Sequence, residues 1–129
     1  MSAFVCALDA SALLAVLNRE PGSDQVVPLL DRAVMSAVNW SETVQKALAR
    51  NVPTDGLRQD VEGLGVTIVP FTLGDAERAA QLWVQTQALG LSLGDRACLA
   101  LAQREAVPAV TTDRVWAGLS LGVRITVVR

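Results

Sequence analysis

Residues 91–116 read LSLGDRACLALAQREAVPAVTTDRVW. From Asp95 to Glu105 strong helix formers carry few polar side chains, which predicts a helix buried on most of its surface. The preceding GLSLG stretch reads as a loop. PAVTT, residues 108–112, is short and apolar with β-branched residues and predicts a strand. Parallel strands need crossover connections of a dozen or more residues, usually helices, so helix followed by strand is the mark of a parallel sheet. Asp95 opens the helix, and Asp113 directly follows the strand.

The same alternation extends in both directions. FVCAL, Phe4 to Leu8, predicts a buried strand, and Asp9 and Ser11 then open a helical run that Pro21-Gly22 closes. Ser23 to Arg32 reads as helix and Ala33 to Val38 as strand. Asn39 to Asn51 reads as helix, with Asn39 as its N-cap and Val44, Ala47 and Leu48 on one face. Pro53-Thr54 starts a helix that Gly63 and Gly65 end. Val66 to Phe71 is the clearest strand, and Gly74 to Ala88 an amphipathic helix. After a short helix, ITVV near the terminus is a last strand. This order predicts an α/β fold, a parallel sheet with helices on both faces. No repeat, linker or low-complexity segment interrupts it, so residues 1–129 read as a single domain.

Composition narrows the chemistry. Of 129 residues, 51% are hydrophobic and 19% charged, a globular balance. Mean hydropathy is +0.36, yet no apolar run approaches the roughly 20 residues of a membrane span. With no basic stretch leading into an apolar one at the start, the cytoplasm is the expected location. Cys6 and Cys98 sit in apolar runs without metal-ligand spacing and read as buried thiols. Histidine is absent, which excludes imidazole acid–base catalysis and any Ser-His or Cys-His nucleophile. The net charge of −2 argues against nucleic acid as a partner, unless cations occupy an acidic site or basic residues gather on one face.

Four acids stand out. Asp9 and Asp113 each follow a strand, where open parallel sheets bind their ligands. Glu42 and Asp95 lie at helix starts. Each has a plain alternative as a helix cap: Asn39-x-x-Glu42 and Ser92-x-x-Asp95 both resemble capping boxes. The remaining acids, Glu20 and Asp75 among them, read as solvated surface. Together the four form a hard-oxygen set suited to Mg²⁺ or Mn²⁺. Phosphodiester hydrolysis is a chemistry such a set supports without histidine.

DASALLA at Asp9, NWSE at Glu42, LSLGDRACLALA at Asp95 and VTTDRVWAG at Asp113 resemble, in order, the four acidic motifs of PIN domains, and the last two resemble VapC-type toxins most. The resemblance implies a three-layer sandwich with strand order 3-2-1-4-5, which sets the first and fourth strands side by side. It implies Mg²⁺- or Mn²⁺-dependent cleavage of RNA, leaving a 5′-phosphate and a 3′-hydroxyl. A homodimer and a cognate antitoxin that blocks the acidic groove are implied as well.

On that resemblance, Asp9 and Asp95 hold the principal metal, with Asp113 helping directly or through water. Glu42 is a ligand or orients the attacking water. Ser11 either bonds an acid or metal-bound water, or caps a helix, and Thr112 is a candidate for holding Asp113. Arg96 and Arg114 each follow a site acid and either meet substrate phosphate or pair with a neighbouring acid. Trp40 and Trp116 either stack on bases or fill core, and Trp83 reads as core or dimer surface. Lys46, one turn beyond Glu42, reads as its exposed helical partner. A receiver domain fits poorly, because Asp9 has no adjacent acid. A haloacid-dehalogenase phosphatase fits poorly because Ser11 stands where it wants an acid. The alternative that stays open is a PIN scaffold that binds RNA or protein without cutting.

Overall fold

The computed structural model describes residues 2–129. In chain order its elements are β1 (Cys6–Leu8), α1 (Ala10–Leu17), α2 (Ser23–Val26), a 3₁₀ turn (Val27–Arg32), β2 (Ala33–Ser36), α3 (Ala37–Ala49) and α4 (Leu57–Gly63). There follow β3 (Thr67–Val69), α5 (Leu73–Thr86), a short 3₁₀ turn, α6 (Leu93–Glu105), β4 (Ala109–Thr111), a 3₁₀ turn (Arg114–Gly118) and β5 (Ile125–Val127). The strands form one parallel sheet in the order β3-β2-β1-β4-β5. This is the predicted α/β architecture and strand order.

The sheet is short and covered on both faces, which explains why its inner strands are apolar up to their carboxyl ends, where Ser36 and Thr111 stand, rather than alternating. Every residue of β1, β2 and β4 is buried. Side chains still alternate between two cores. Cys6, Leu8, Met35 and Val110 pack with Leu13, Val26 and Val61 on the α1 side. Ala7, Val34 and Ala109 pack with Leu82, Leu99 and Leu101 on the α5–α6 side. Both cysteines are buried free thiols, as expected, and burial raises the Cys6 pKa to about 11. Trp116 is fully buried in the α5–α6 core, Trp40 packs partly buried against the other, and Trp83 is half exposed on α5.

Local reading erred where a distant partner decides a residue's setting. Asp75 is not solvated but 3% exposed. It closes a capping box with Thr72, and Arg104 of α6 meets its Oδ1 at 3.0 Å, tying α5 to α6. Asn39 is not an N-cap either. Strand β2 ends at Ser36, whose hydroxyl accepts the Val38 N–H, so α3 starts earlier and carries Asn39 inside its first turn. Gly65, at φ +105°, leaves the α4–β3 turn in a left-handed conformation where a Cβ would overlap the Asp31 backbone.

Candidate active site

The adjacency of β1 and β4 brings the ends of two distant segments together. Asp9 leaves β1 and caps α1, its Oδ1 accepting the Ala10 N–H at 2.9 Å. Its Oδ2 accepts two hydroxyl bonds, from Ser11 at 2.7 Å and from Thr111 at 2.9 Å. Each hydroxyl is oriented in turn, because Ser11 Oγ accepts the Thr112 N–H and Thr111 Oγ1 accepts the Asp113 N–H. Asp9 is thus fixed by the strand end that presents Asp113. Thr111, not Thr112, supplies the side chain here. Thr111 belongs to the buried β4, while Thr112 is one residue on and turned toward the opening.

Asp95 opens α6 in a real capping box: its Oδ2 accepts the Ser92 N–H at 2.9 Å, and Ser92 Oγ accepts the Asp95 N–H. The cap engages one carboxylate oxygen and leaves Oδ1 without a protein partner, so capping and a ligand role are compatible. Asp113 accepts the Val115 N–H through Oδ1 and is exposed. Glu42, half-buried on α3, takes a hydrogen bond from Asn39 Nδ2 at 3.0 Å.

All four acids line one cleft of about 420 Å³, with Ser11 and Thr112 in its wall. Burial is the main reason the Asp9 pKa rises to about 6. The Ser11 and Thr111 hydrogen bonds oppose the rise, and the charges of Asp95 and Glu42 add to it. The Glu42 pKa is raised as well, first by burial, with Asn39 opposing. Among the described residues none of the four acids joins an ion pair, and no three stand close enough for a ready-made metal cage. A buried carboxylate beside other carboxylates, with no paired cation, is a site short of positive charge. Its donors are carboxylate and hydroxyl oxygens alone, which suits a hard divalent cation.

Several neighbours differ from expectation. Arg96 pairs with no acid among the described residues and donates to the Ala79 carbonyl on α5 at 2.9 Å. One residue further along a helix is about 100° further round it, so Arg96 faces α5 while Asp95 faces the cleft. Arg114 is exposed on the 3₁₀ turn beyond Asp113, outside the cleft wall and in no ion pair. Lys46 lowers the Glu42 pKa without closing an ion pair, and it lines the cleft with Arg50 and Arg129. Glu20, read as surface, stands at the same rim and pairs with Arg129 at 3.4 Å.

The sequence profile of the PIN domain matches residues 6–120. The chain belongs to the PIN-domain family. No curated protein matches it by sequence. Among solved structures, this PIN domain is similar to a toxin–antitoxin complex from Klebsiella pneumoniae (22% identity, TM-score 0.72, covering 92% of this chain and 94% of that one). It is similar to DNA-bound VapBC from Salmonella typhimurium (18% identity, TM-score 0.71, covering 95% and 97%). It is also similar to VapC20 of Mycobacterium tuberculosis, a Sarcin-Ricin loop cleaving toxin (17% identity, TM-score 0.72, covering 92% and 98%). At these identities the likeness is one of fold. PIN domains are nucleases that generally use divalent metal ions, so the family is one of hydrolases.

Sequence reasoning missed Thr111, Asn39, Gly94, Arg50 and Arg129. Gly94 reads as the end of the GLSLG loop, and only the start of α6 at Leu93 places it inside a helix, where alanine would be the better helix former.

Proposed function

We propose that this PIN domain is a Mg²⁺- or Mn²⁺-dependent endoribonuclease and the toxin of a VapC-type toxin–antitoxin pair. The observation that carries the reading is the convergence of four carboxylates from four segments on one cleft, with Asp9 buried among them and unpaired. Asp9 and Asp95 would hold the ion, with Asp113 assisting directly or through water. Glu42 serves as a ligand or holds the attacking water. A bound divalent ion supplies Lewis acidity toward a phosphoryl oxygen and lowers the pKa of water. Ser11 and Thr111 occupy both acceptor sites of Asp9 Oδ2 and the Ala10 N–H one of Oδ1, so the carboxylate is held in one orientation with an Oδ1 site left over.

Cations at the rim answer the objection raised by the acidic composition. Lys46 in the last turn of α3 and Arg50 at its C-cap are one turn apart, and Arg129 lines the same cleft. They would meet RNA phosphates beside the cut. The cognate antitoxin would oppose the same acids with a basic side chain. A homodimer would cover the exposed Trp83, Val84 and Leu89 around α5.

The test is incubation of purified protein with total RNA, with Mn²⁺ or with EDTA, followed by end mapping. Cleavage with Mn²⁺ alone, leaving 5′-phosphates, is the expected result. Cutting in EDTA by a contaminant-free preparation overturns the metal mechanism, and RNA binding without cutting in either condition makes the protein a scaffold. The rim has a separate readout. Replacing Lys46 and Arg50 by alanine should weaken RNA binding in EDTA and flatten its dependence on log salt by about 1.4 units, the slope expected for two lost contacts to a single strand. An unchanged slope removes these two residues from the substrate path.

A further inference from the structure

The side-chain amide of Asn39 is completely buried between α3 and α6. Its NH₂ donates to Glu42 Oε1 at 3.0 Å and to the Gly94 carbonyl at 2.9 Å, so one group bridges the two helices. Its Oδ1 is buried with no partner. A position filled for packing alone would avoid that cost with an apolar side chain. At Gly94, in the first turn of α6, a Cβ would overlap the Glu42 carboxylate. Gly94 is helical, so the requirement is for space and not for backbone freedom. The bridging amide and the missing side chain independently define one socket, with the Glu42 carboxylate seated in it.

We propose that Asn39 and Gly94 are positioning residues that hold the Glu42 carboxylate for divalent-cation binding, an inference that rests on the metal-dependent nuclease reading above. A free glutamate side chain loses substantial rotamer freedom when it is ordered. The socket removes that freedom before any ligand arrives. The chemistry of the holder matters too. A lysine or arginine would order the carboxylate but neutralise it and oppose a metal. A hydroxyl has one proton and would leave one of the two acceptors unserved. An uncharged amide with two donors anchors Glu42, leaves its charge intact, and ties it to the helix that carries Asp95. Glu42 and Asp95, from different helices, are thereby kept in register.

The test is Mn²⁺ binding to the intact protein without RNA, followed by calorimetry or by the electron paramagnetic resonance of free Mn²⁺. Asn39→Ala and Gly94→Ala should each weaken binding by about tenfold, the lower end for outer-shell partners. In a Glu42→Gln background both should change affinity less than about twofold, because the carboxylate they position is gone. Unchanged affinity in the single variants, or equal losses in both backgrounds, overturns the proposal. Should Asn39→Ala not fold, Gly94→Ala carries the test with Asn39 in place. Its urea melts add a metal-free readout: destabilisation in the wild-type background that disappears with Glu42→Ala is expected, and destabilisation in both overturns the socket. A wild type that binds no Mn²⁺ overturns the nuclease reading itself. A wild type that binds it, with variants that bind equally well, overturns this inference alone.

Discussion

Asp9→Asn is expected to lower the rate of RNA cleavage by about three orders of magnitude. Asp9 is the most buried of the four cleft acids, at 5% exposure, so its charge is the least screened by water. Stabilisation of transition-state charge by a bound cation is worth several kcal/mol, and each ~1.4 kcal/mol is tenfold in rate. Removing the best-placed carboxylate forfeits most of that. Folding is expected to survive, because asparagine caps helices about as well as aspartate and nearly preserves the shape. The measurement is single-turnover cleavage with saturating Mn²⁺, beside a thermal melt of each protein. Induced expression should give the same order, with wild type arresting bacterial growth and the variant not, at equal protein level. A variant that cuts within tenfold of wild type while equally folded takes Asp9 out of the site.

The second large effect concerns the metal-free protein. The Asp9 carboxyl has a pKa near 6 in the folded chain, with burial as its main cause, against about 3.9 unfolded. The folded state therefore binds more protons than the unfolded one between those values. Stability from this group is fully present below pH ~4 and is lost as pH rises through ~6. Two pKa units correspond to about 3 kcal/mol. Glu42, also raised, adds in the same direction. Urea melts in EDTA should show wild type losing stability relative to Asp9→Asn from pH 4.5 to 7.5. The difference between the two proteins cancels contributions that both share. Mn²⁺ should restore the wild type at pH 7.5, since an ion that binds only the folded state stabilises it by mass action. A wild-type-minus-variant difference that is flat with pH, with no response to Mn²⁺, would contradict both the buried charge and its neutralisation by metal.

The readings that held rest on short-range signals. A strand buried on both faces is apolar along most of its length, so FVCAL and PAVTT, with its β-branched threonines, were visible as strands, and the acids following them marked the sheet's ligand-binding end. Ser92 and Asp95 form a local capping box three residues apart, and that too was legible. Asp75 was misread because LGDAER looks solvated, while its partner Arg104 is 29 residues away. The contact of Arg96 with α5 was not legible because neighbours in sequence are not neighbours on a helix surface. Thr112 reads as the candidate for holding Asp113, and the part played by Thr111 was not legible, because which hydroxyl turns inward depends on where β4 ends, a boundary that period-two alternation does not set.

By itself, then, the sequence determined the alternation of helix and strand, the absence of histidine chemistry, and four acids in the order of the PIN motifs. These depend on composition and on contacts within a turn or two of chain, where side-chain direction follows from backbone periodicity. Tertiary structure alone decided that Asp9 and Thr111 meet, across 102 residues, and that Asn39 reaches Gly94 across 55. It also decided that Lys46, Arg50 and Arg129 gather at one rim of an otherwise acidic cleft. The physical reason is that such contacts are made only when both sheet faces are covered and the helices have docked. The packing that brings them together also strips water from Asp9, and that burial, more than any neighbouring residue in the chain, raises its pKa.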